Sequence, residues 1–186
     1  MQKIIIVGNG TSVLEVENGS KIDAFEKVVR FNSYAIKDYE KYVGERTDIW
    51  FNVINFSNKE NEWRMAKKYD KIYLHSWQWD EKKDKLYKEF LEFYKDKNMI
   101  IEKTKRHTCV EMSEFIQNKY MAFSTGAIAI WMILKNYEMV TITGFDWWER
   151  KAHHYSDNAA RGNNHKPELE KMLIDKLIAE NKLKFL

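Results

Sequence analysis

The sequence predicts an α/β domain with a mainly parallel sheet flanked by helices. Short apolar runs rich in β-branched residues recur along the 186 residues, and segments compatible with helices separate most of them. This alternation is typical of parallel sheets whose strands are joined by right-handed crossovers. With 44% hydrophobic residues and no repeat, linker or low-complexity tract, the chain is expected to form a single domain, residues 1–186, around one core.

The strands are predicted from these apolar runs. Residues 3–7 contain a continuous β-branched run that ends at Gly8, which is the pattern of a strand buried on both faces. Five later runs have a similar composition, at residues 27–31, 48–51, 71–74, 99–101 and 139–143. Residues 182–186 are a candidate final strand.

Two helices are clear from their patterns. Residues 80–96 predict an outer helix with a charged face and with apolar residues at helical spacing, namely Leu86, Phe90, Phe93 and Tyr94. Trp77 and Trp79 come just before it, so peripheral contact of this segment with a membrane surface is an alternative. The last helix, residues 167–181, has Pro167 in its first turn, where proline is favoured.

Charge and cysteine content limit the classes of function. The 31 basic and 28 acidic residues are interspersed and give a net charge of +3, so no basic stripe that would bind nucleic acid is expected. Cys109 is the only cysteine, which excludes an internal disulfide framework and suits a reducing compartment. No apolar stretch is long enough to cross a bilayer, and residues 1–7 lack the features of a secretory signal. A soluble, cytoplasmic protein is therefore expected.

A glycine-containing turn follows the first predicted strand. The sequence VGNGTS, residues 7–12, lies where many nucleotide-binding proteins turn from their first strand into their first helix. The dinucleotide fingerprint needs a third glycine after Gly8 and Gly10, but Val13 stands at that position. A nicotinamide or flavin site is therefore not favoured.

Asparagines mark the ends of three predicted strands. Asn9, Asn32 and Asn52 each stand at a carboxyl end, and these ends meet at one edge of a parallel sheet. An amide side chain donates and accepts hydrogen bonds without charge, which suits the neutral polar groups of a base and a sugar. Each asparagine alone has the alternative of capping a helix or forming a turn, but the three together favour a ligand crevice.

A second candidate anion site is the segment Ser124, Thr125 and Gly126, directly before the apolar residues 127–134. A buried helix that begins here offers two hydroxyl groups and unpaired N–H groups to a carboxylate or a phosphate. The alternative is an ordinary helix N-cap without a ligand.

Histidines cluster late in the chain. Three of the five histidines, His153, His154 and His165, fall within thirteen residues of a predicted loop, where imidazoles can titrate and meet substrate. This loop is the expected chemical centre. Two alternatives stay open: exposed histidines without a chemical role, and a metal site formed by His153 or His154 with Asp157 and His165.

Four motifs, taken in order from Lys3 to Glu170, resemble those of the animal-type sialyltransferases. They are the large sialylmotif (residues 7–10, 22–23, 28–32 and 43–48), the small sialylmotif (124–126 and 142–146), the third motif (154–157) and the very small motif (His165 and Glu170). The bacterial lipooligosaccharide sialyltransferases are similar as well, with asparagines after the first three strands. Each motif is weak alone, whereas four in order are specific.

The resemblance implies a Rossmann-like sheet in a variant of the GT-A nucleotide-sugar transferase fold. It implies transfer of a CMP-activated keto-acid sugar to a glycan or glycolipid hydroxyl, with inversion at the anomeric carbon. No cofactor and no divalent metal are implied, since CMP leaves as a monophosphate whose charge hydroxyl groups and imidazole can meet. His165 is then the general base that removes the acceptor proton, while His154 and Tyr155 meet the phosphate.

The resemblance also assigns the remaining residues of the donor site. Asn9, Asn32 and Asn52 would hold the phosphate, ribose and cytosine, and the segment 124–126 would receive the sugar carboxylate or lie beside the nucleotide. The full set of implied donor-binding residues is Gly8, Asn9, Gly10, Asn32, Asn52, Ser124, Thr125, Gly126, Asp146 and Tyr155.

Departures from the family pattern keep alternatives open. The animal enzymes carry a membrane anchor and a disulfide between the large and small motifs, and the absence of both here suits a cytoplasmic protein. Residues 147–164, which include Trp147 and Trp148, are the expected remnant of a lid or acceptor-binding insertion. The alternative functions are a transferase for CMP-Kdo or a related sugar, a non-catalytic CMP-binding module and a metal-dependent hydrolase. The oligomeric state is open.

Overall fold

The chain folds around a parallel sheet. The computed structural model describes residues 3–54, 63–146, 154–156 and 165–186. Within these residues the sheet has seven strands, and every pairing between neighbours is parallel. They are β1 (Ile4–Val7), β2 (Lys27–Phe31), β3 (Ile49–Val53), β4 (Lys71–His75), β5 (Ile100–Lys103), β6 (Val140–Thr143) and β7 (Leu183–Phe185). The predicted α/β class and each predicted strand, including the final one, are confirmed.

The strand order brings the carboxyl ends of the strands that carry the predicted asparagines next to one another. The order is β5-β4-β3-β2-β1-β6-β7, so the chain adds β2 to β5 on one side of β1 and then crosses to its other side. Because all the strands run in the same direction, their carboxyl ends lie at one edge of the sheet. Ligands of open α/β sheets bind at this edge.

Helices cover both faces of the sheet. They include a 3₁₀ helix (Thr11–Glu15) and the α-helices α1 (Gly19–Asp23), α2 (Glu40–Val43), α3 (Glu81–Tyr94), α4 (Arg106–Phe115), α5 (Thr125–Leu134) and α6 (Pro167–Ala179). In the described ranges no helix combines the length and the apolar composition that crossing a membrane requires.

Side chains alternate along each strand, so the core has two halves. Ile4, Ile6 and Phe51 point to the face that α4, α5 and α6 cover. Ile5 and Trp50 point to the opposite face, which is covered by α3 and the short helices that follow β1 and β2. Helix α5 lies deepest, with eight of its ten residues buried, because its sequence is apolar on every side.

Two local features differ from the sequence-based prediction. The turn after β1 leads into a short 3₁₀ helix, not into a full α-helix. In α3, Phe90 and Tyr94 are buried, whereas Phe93 is 48% exposed. The spacing of four residues aligns Phe90 with Tyr94 on one side of the helix, and Phe93 lies beside that stripe.

Candidate active site

Three buried polar atoms at the carboxyl edge of the sheet lack a hydrogen-bond partner among the described residues. They are Oδ1 of Asn9, two residues after β1, Nδ2 of Asn52, the penultimate residue of β3, and Nε2 of His75, the last residue of β4. Their residues are only 7%, 4% and 2% exposed. Buried polar atoms in proteins are nearly always hydrogen-bonded, so these three atoms are candidates for contact with a ligand.

The three predicted asparagines have different surroundings. Nδ2 of Asn9 donates to the carbonyl oxygen of Phe31 at 3.2 Å, which ties the end of β1 to the end of β2. Asn32 has a positive φ of 51°, and its Oδ1 accepts from the backbone of Val53 at 3.1 Å. Asn32 thus shapes the turn after β2, while Asn9 and Asn52 each have a buried polar atom without a partner among the described residues.

The glycine turn after β1 packs tightly against the chain itself. A Cβ atom on Gly8 would lie 2.2 Å from the carbonyl oxygen of Gly144, and one on Gly10 would lie 2.5 Å from Oδ1 of Asp146. Oδ2 of Asp146 accepts from the backbone N–H of Ser12 at 3.2 Å and from the hydroxyl of Thr11 at 3.3 Å. A carboxylate of the chain therefore faces the start of the 3₁₀ helix.

The turn before α5 is built in the same way. Ser124 caps α5 by accepting from the backbone of Ala127 at 3.2 Å. Glu170 accepts from the backbone N–H of Ser124 at 2.6 Å and from its hydroxyl at 2.7 Å. Thr125 is buried, and a Cβ atom on Gly126 would press on the rings of Phe145 and Phe31 at 2.9 and 3.0 Å.

Of the groups expected to receive an anion before α5, the N–H and the hydroxyl of Ser124 are thus already bonded to Glu170. Asp146 and Glu170 supply the negative charge that a helix N-terminus favours. The glycines are explained by close backbone packing, and Ser124 by its cap and its carboxylate partner. A direct role of these residues in donor binding stays a prediction.

His165 is held at this edge through its Nδ1 atom. Nδ1 lies 2.8 Å from the carbonyl oxygen of Ala122 and 3.9 Å from Oε1 of Glu170. The next residue is also anchored, since the backbone of Lys166 donates to the hydroxyl of Tyr120 at 2.9 Å. The loop thus holds the imidazole beside the first turn of α5.

Glu170 is a buried carboxyl group with an altered acidity. Its residue is 1% exposed, and burial raises its pKa to about 7, although its bonds to Ser124 act in the opposite direction. A carboxyl group in this state changes its charge near neutral pH. Glu170 therefore lies between Ser124, which caps α5, and the imidazole of His165.

Tyr155 is hydrogen-bonded to two other segments of the chain. Its hydroxyl donates to the carbonyl oxygen of Ala35 and accepts from the backbone N–H of Ala35 at 3.2 Å. Its backbone N–H donates to the carbonyl oxygen of Asn9 at 2.9 Å. The hydroxyl is thus bonded to Ala35, and its expected contact with the phosphate stays a prediction. His154, next to it, is partly exposed.

Part of the predicted loop lies outside the described residues. This holds for Trp147, Trp148, His153 and Asp157, and for most of the expected acceptor-binding insertion. Within the described part of the chain, no group of three or more histidine, cysteine, aspartate or glutamate side chains is arranged to hold a metal ion.

His75 is the residue that sequence reasoning missed. The predicted strand ends at residue 74, one position before His75. The signal was the same as for the asparagines, because a polar residue directly follows an apolar run and therefore stands at the carboxyl edge.

The fold resembles that of solved sialyltransferases. The crystal structure of a mammalian sialyltransferase aligns with a TM-score of 0.74 at 18% identity, covering 100% of this chain and 68% of that chain. The structure of a mammalian sialyltransferase in complex with Gal-beta-1-3GalNAc-ortho-nitrophenol gives a TM-score of 0.71 at 17% identity, with 100% and 69% covered. The chain therefore has the α/β fold of this class of proteins.

The sequence of the chain also matches a known protein family. The model of glycosyltransferase family 29 (sialyltransferase) matches residues 1–182, and the chain belongs to this family. The resemblance seen in the four motifs is thereby confirmed. The CMP-N-acetylneuraminate-beta-1,4-galactoside alpha-2,3-sialyltransferases of Homo sapiens and Pan troglodytes are each 44% identical over 48 residues. That segment covers 26% of this chain and 13% of either relative.

Proposed function

We propose that the chain transfers a sialyl group from CMP-sialic acid to a glycan hydroxyl without a divalent metal ion. Membership of the family over residues 1–182 carries this proposal. The acceptor class comes from the relatives, since the curated proteins are named for β1,4-galactosides and one solved relative holds Gal-β1,3-GalNAc-ortho-nitrophenol. A glycan that ends in galactose is therefore the acceptor we infer.

The hydrogen bond of His165 supports its role as the general base. A carbonyl oxygen only accepts, so the contact with Ala122 requires a proton on Nδ1. In the neutral ring Nε2 then carries the lone pair. It takes the proton of the acceptor hydroxyl while the oxygen attacks the anomeric carbon and the bond to CMP breaks on the opposite side.

Glu170 is suited to assist this step. Once His165 has taken the proton, an ionised carboxylate 3.9 Å from Nδ1 favours the imidazolium ion. With its pKa raised to about 7 by burial, Glu170 is only partly ionised at neutral pH. Loss of its proton therefore favours the charged form of His165.

The asparagines support binding of the donor nucleotide. The unpaired Oδ1 of Asn9 and Nδ2 of Asn52 offer one acceptor and one donor without charge, which suits cytosine and ribose. CMP leaves with the charge of a monophosphate. Hydrogen-bond donors and the imidazole of His154 can meet that charge, which is the basis for expecting activity in the presence of a chelator.

The proposal is tested by comparing His165→Asn with the wild type. Asparagine can keep the contact with Ala122 but has no group at the position of Nε2. We expect unchanged CMP affinity by calorimetry and a turnover rate that is about 10² to 10⁴ times lower. His107→Asn is the matched control, because that histidine is 72% exposed. Equal turnover of His165→Asn and the wild type would remove His165 from the role of base.

A further inference from the structure

His75 is held firmly by one nitrogen and lacks a partner at the other. Its Nδ1 lies 2.8 Å from the hydroxyl of Thr104, and the residue is 2% exposed. Its Nε2 is buried and has no hydrogen-bond partner among the residues described here. Leaving such a nitrogen unpaired is costly, so the position is explained by a ligand group that pairs with it.

An aromatic ring connects His75 with the expected base. The ring of Trp77 meets that of His75 edge-on at a centroid distance of 5.4 Å and lies 6.0 Å from the ring of His165. The indole nitrogen of Trp77 donates to the carbonyl oxygen of Phe123 at 3.1 Å, which fixes the ring. Trp77 is nevertheless 41% exposed, so it presents an aromatic surface beside both histidines.

His75 and Asn52 lie on opposite faces of the sheet. His75 shares a strand face with Tyr73, whose ring stacks on Phe51 at 4.3 Å on the side covered by α5 and α6. Asn52 shares the opposite face with Trp50. A ligand group at His75 therefore lies on the side of His165 and not on the side where Asn52 is expected to hold the nucleotide.

The charge of His75 restricts what it can bind. Burial, with a smaller effect of nearby His165, lowers its pKa to about 4, so the ring is neutral at pH 7. A neutral imidazole has no net charge with which to pair a phosphate or a carboxylate. It suits an uncharged hydroxyl group, and an aromatic face with a few fixed polar groups is the usual lining of a pocket for such a ligand.

We propose that His75 and Trp77 form a subsite for the acceptor sugar. Trp77 packs against the apolar face of a neutral pyranose, Nε2 of His75 hydrogen-bonds one of its hydroxyl groups, and the reacting hydroxyl faces His165. Thr104 is the positioning residue that fixes the His75 ring. This inference rests on the proposed function and names the site of its acceptor.

Two isosteric variants test the subsite in steady-state transfer from CMP-sialic acid to a β1,4-galactoside. In His75→Asn the amide can keep the contact with Thr104, while the Nε2 position is lost. We expect the acceptor KM to rise about tenfold and the KM for CMP-sialic acid to stay unchanged. His75→Gln places an amide near the Nε2 position, so part of the acceptor affinity should return.

A structural role alone would give a different pattern. In that case the KM values for the acceptor and for CMP-sialic acid would change together, or the melting temperature would fall, and His75→Gln would not restore the acceptor affinity. That result would overturn the proposal. Should His75→Asn fail to fold, Trp77→Ala serves in its place, since this half-exposed ring can be removed with less effect on the core. An unchanged acceptor KM in Trp77→Ala would equally overturn the subsite.

The failure of this inference and that of the proposed function are distinguishable. A wild type that transfers the sialyl group, together with variants of unchanged acceptor KM, contradicts the subsite alone. A wild type that neither transfers the group nor binds the galactoside by calorimetry in the presence of CMP contradicts the proposed function, and the subsite with it.

Discussion

Glu170 and His75 are buried groups whose acidities shift in opposite directions. Burial raises the pKa of Glu170 from 4.5 to about 7, so its contribution to stability is present below pH 4.5 and is lost as the pH rises to 7. The pKa of His75 falls from 6.5 to about 4, so its contribution is present above pH 6.5 and is lost as the pH falls to 4. Each shifted pKa changes the free energy of unfolding by about 3 kcal/mol. Between pH 4.5 and 6.5 the two contributions change in opposite directions as the pH rises.

The variant Glu170→Gln isolates the contribution of Glu170 to the pH dependence of stability. Glutamine cannot ionise. The variant therefore lacks the unfolding free energy that the wild type gains when Glu170 is protonated in acid. We expect the unfolding free energy of the variant, relative to the wild type, to decrease by about 3 kcal/mol from pH 7.5 to pH 4.5. Urea unfolding at a series of pH values measures this. A difference between the two proteins that does not vary with pH would contradict the assigned state of Glu170.

At the scale of residues, position along the strands made part of the site predictable. Asn9 and Asn52 are predicted because they stand at carboxyl ends, and each has a buried polar atom there with no partner in the described part of the chain. The partners of Ser12 and Ser124 were not predictable, because Asp146 and Glu170 lie 134 and 46 residues away from them. Local patterns indicate a helix start, but they do not show which distant carboxylate faces it.

At the scale of elements, the junction of β1 and β6 depends on close backbone contact. The turn after β1 is bound to β6 by Gly8, whose N–H donates to the carbonyl oxygen of Thr143 at 2.7 Å, and by Gly10, which donates to Gly144 at 2.9 Å. The absence of side chains at these glycines lets the two loops meet. The turn after β1 thus joins two neighbouring strands, and its expected contact with the donor stays a prediction.

The substitution Gly8→Ala tests this joint. Its Cβ atom would lie 2.2 Å from a backbone oxygen that cannot move without shifting β6. We expect a loss of unfolding free energy of about 3 kcal/mol, measured by urea unfolding. Ser20→Ala, at an exposed position of α1, is the control and should change stability only slightly. Wild-type stability of Gly8→Ala would mean that the loops lie further apart than described.

At the scale of the whole molecule, the fold was more predictable than the site. Apolar runs that alternate with helical segments determine a parallel sheet almost without reference to distant residues. The candidate site instead combines β4, the turn before α5 and the start of α6, which the topology brings to one edge. Trp77 and His165 meet across 88 positions of sequence, and nothing local to either residue indicates that contact.

Detection of the reaction product tests the claim that this edge transfers a sialyl group. The protein would be incubated with CMP-sialic acid, a chelator and either a β1,4-galactoside or Gal-β1,3-GalNAc, and the glycans analysed by mass spectrometry. We predict a glycan heavier by one sialyl residue, formed by the wild type and by His107→Asn but strongly reduced with His165→Asn. Absence of this product with both acceptors, from protein that binds CMP, would contradict the claim.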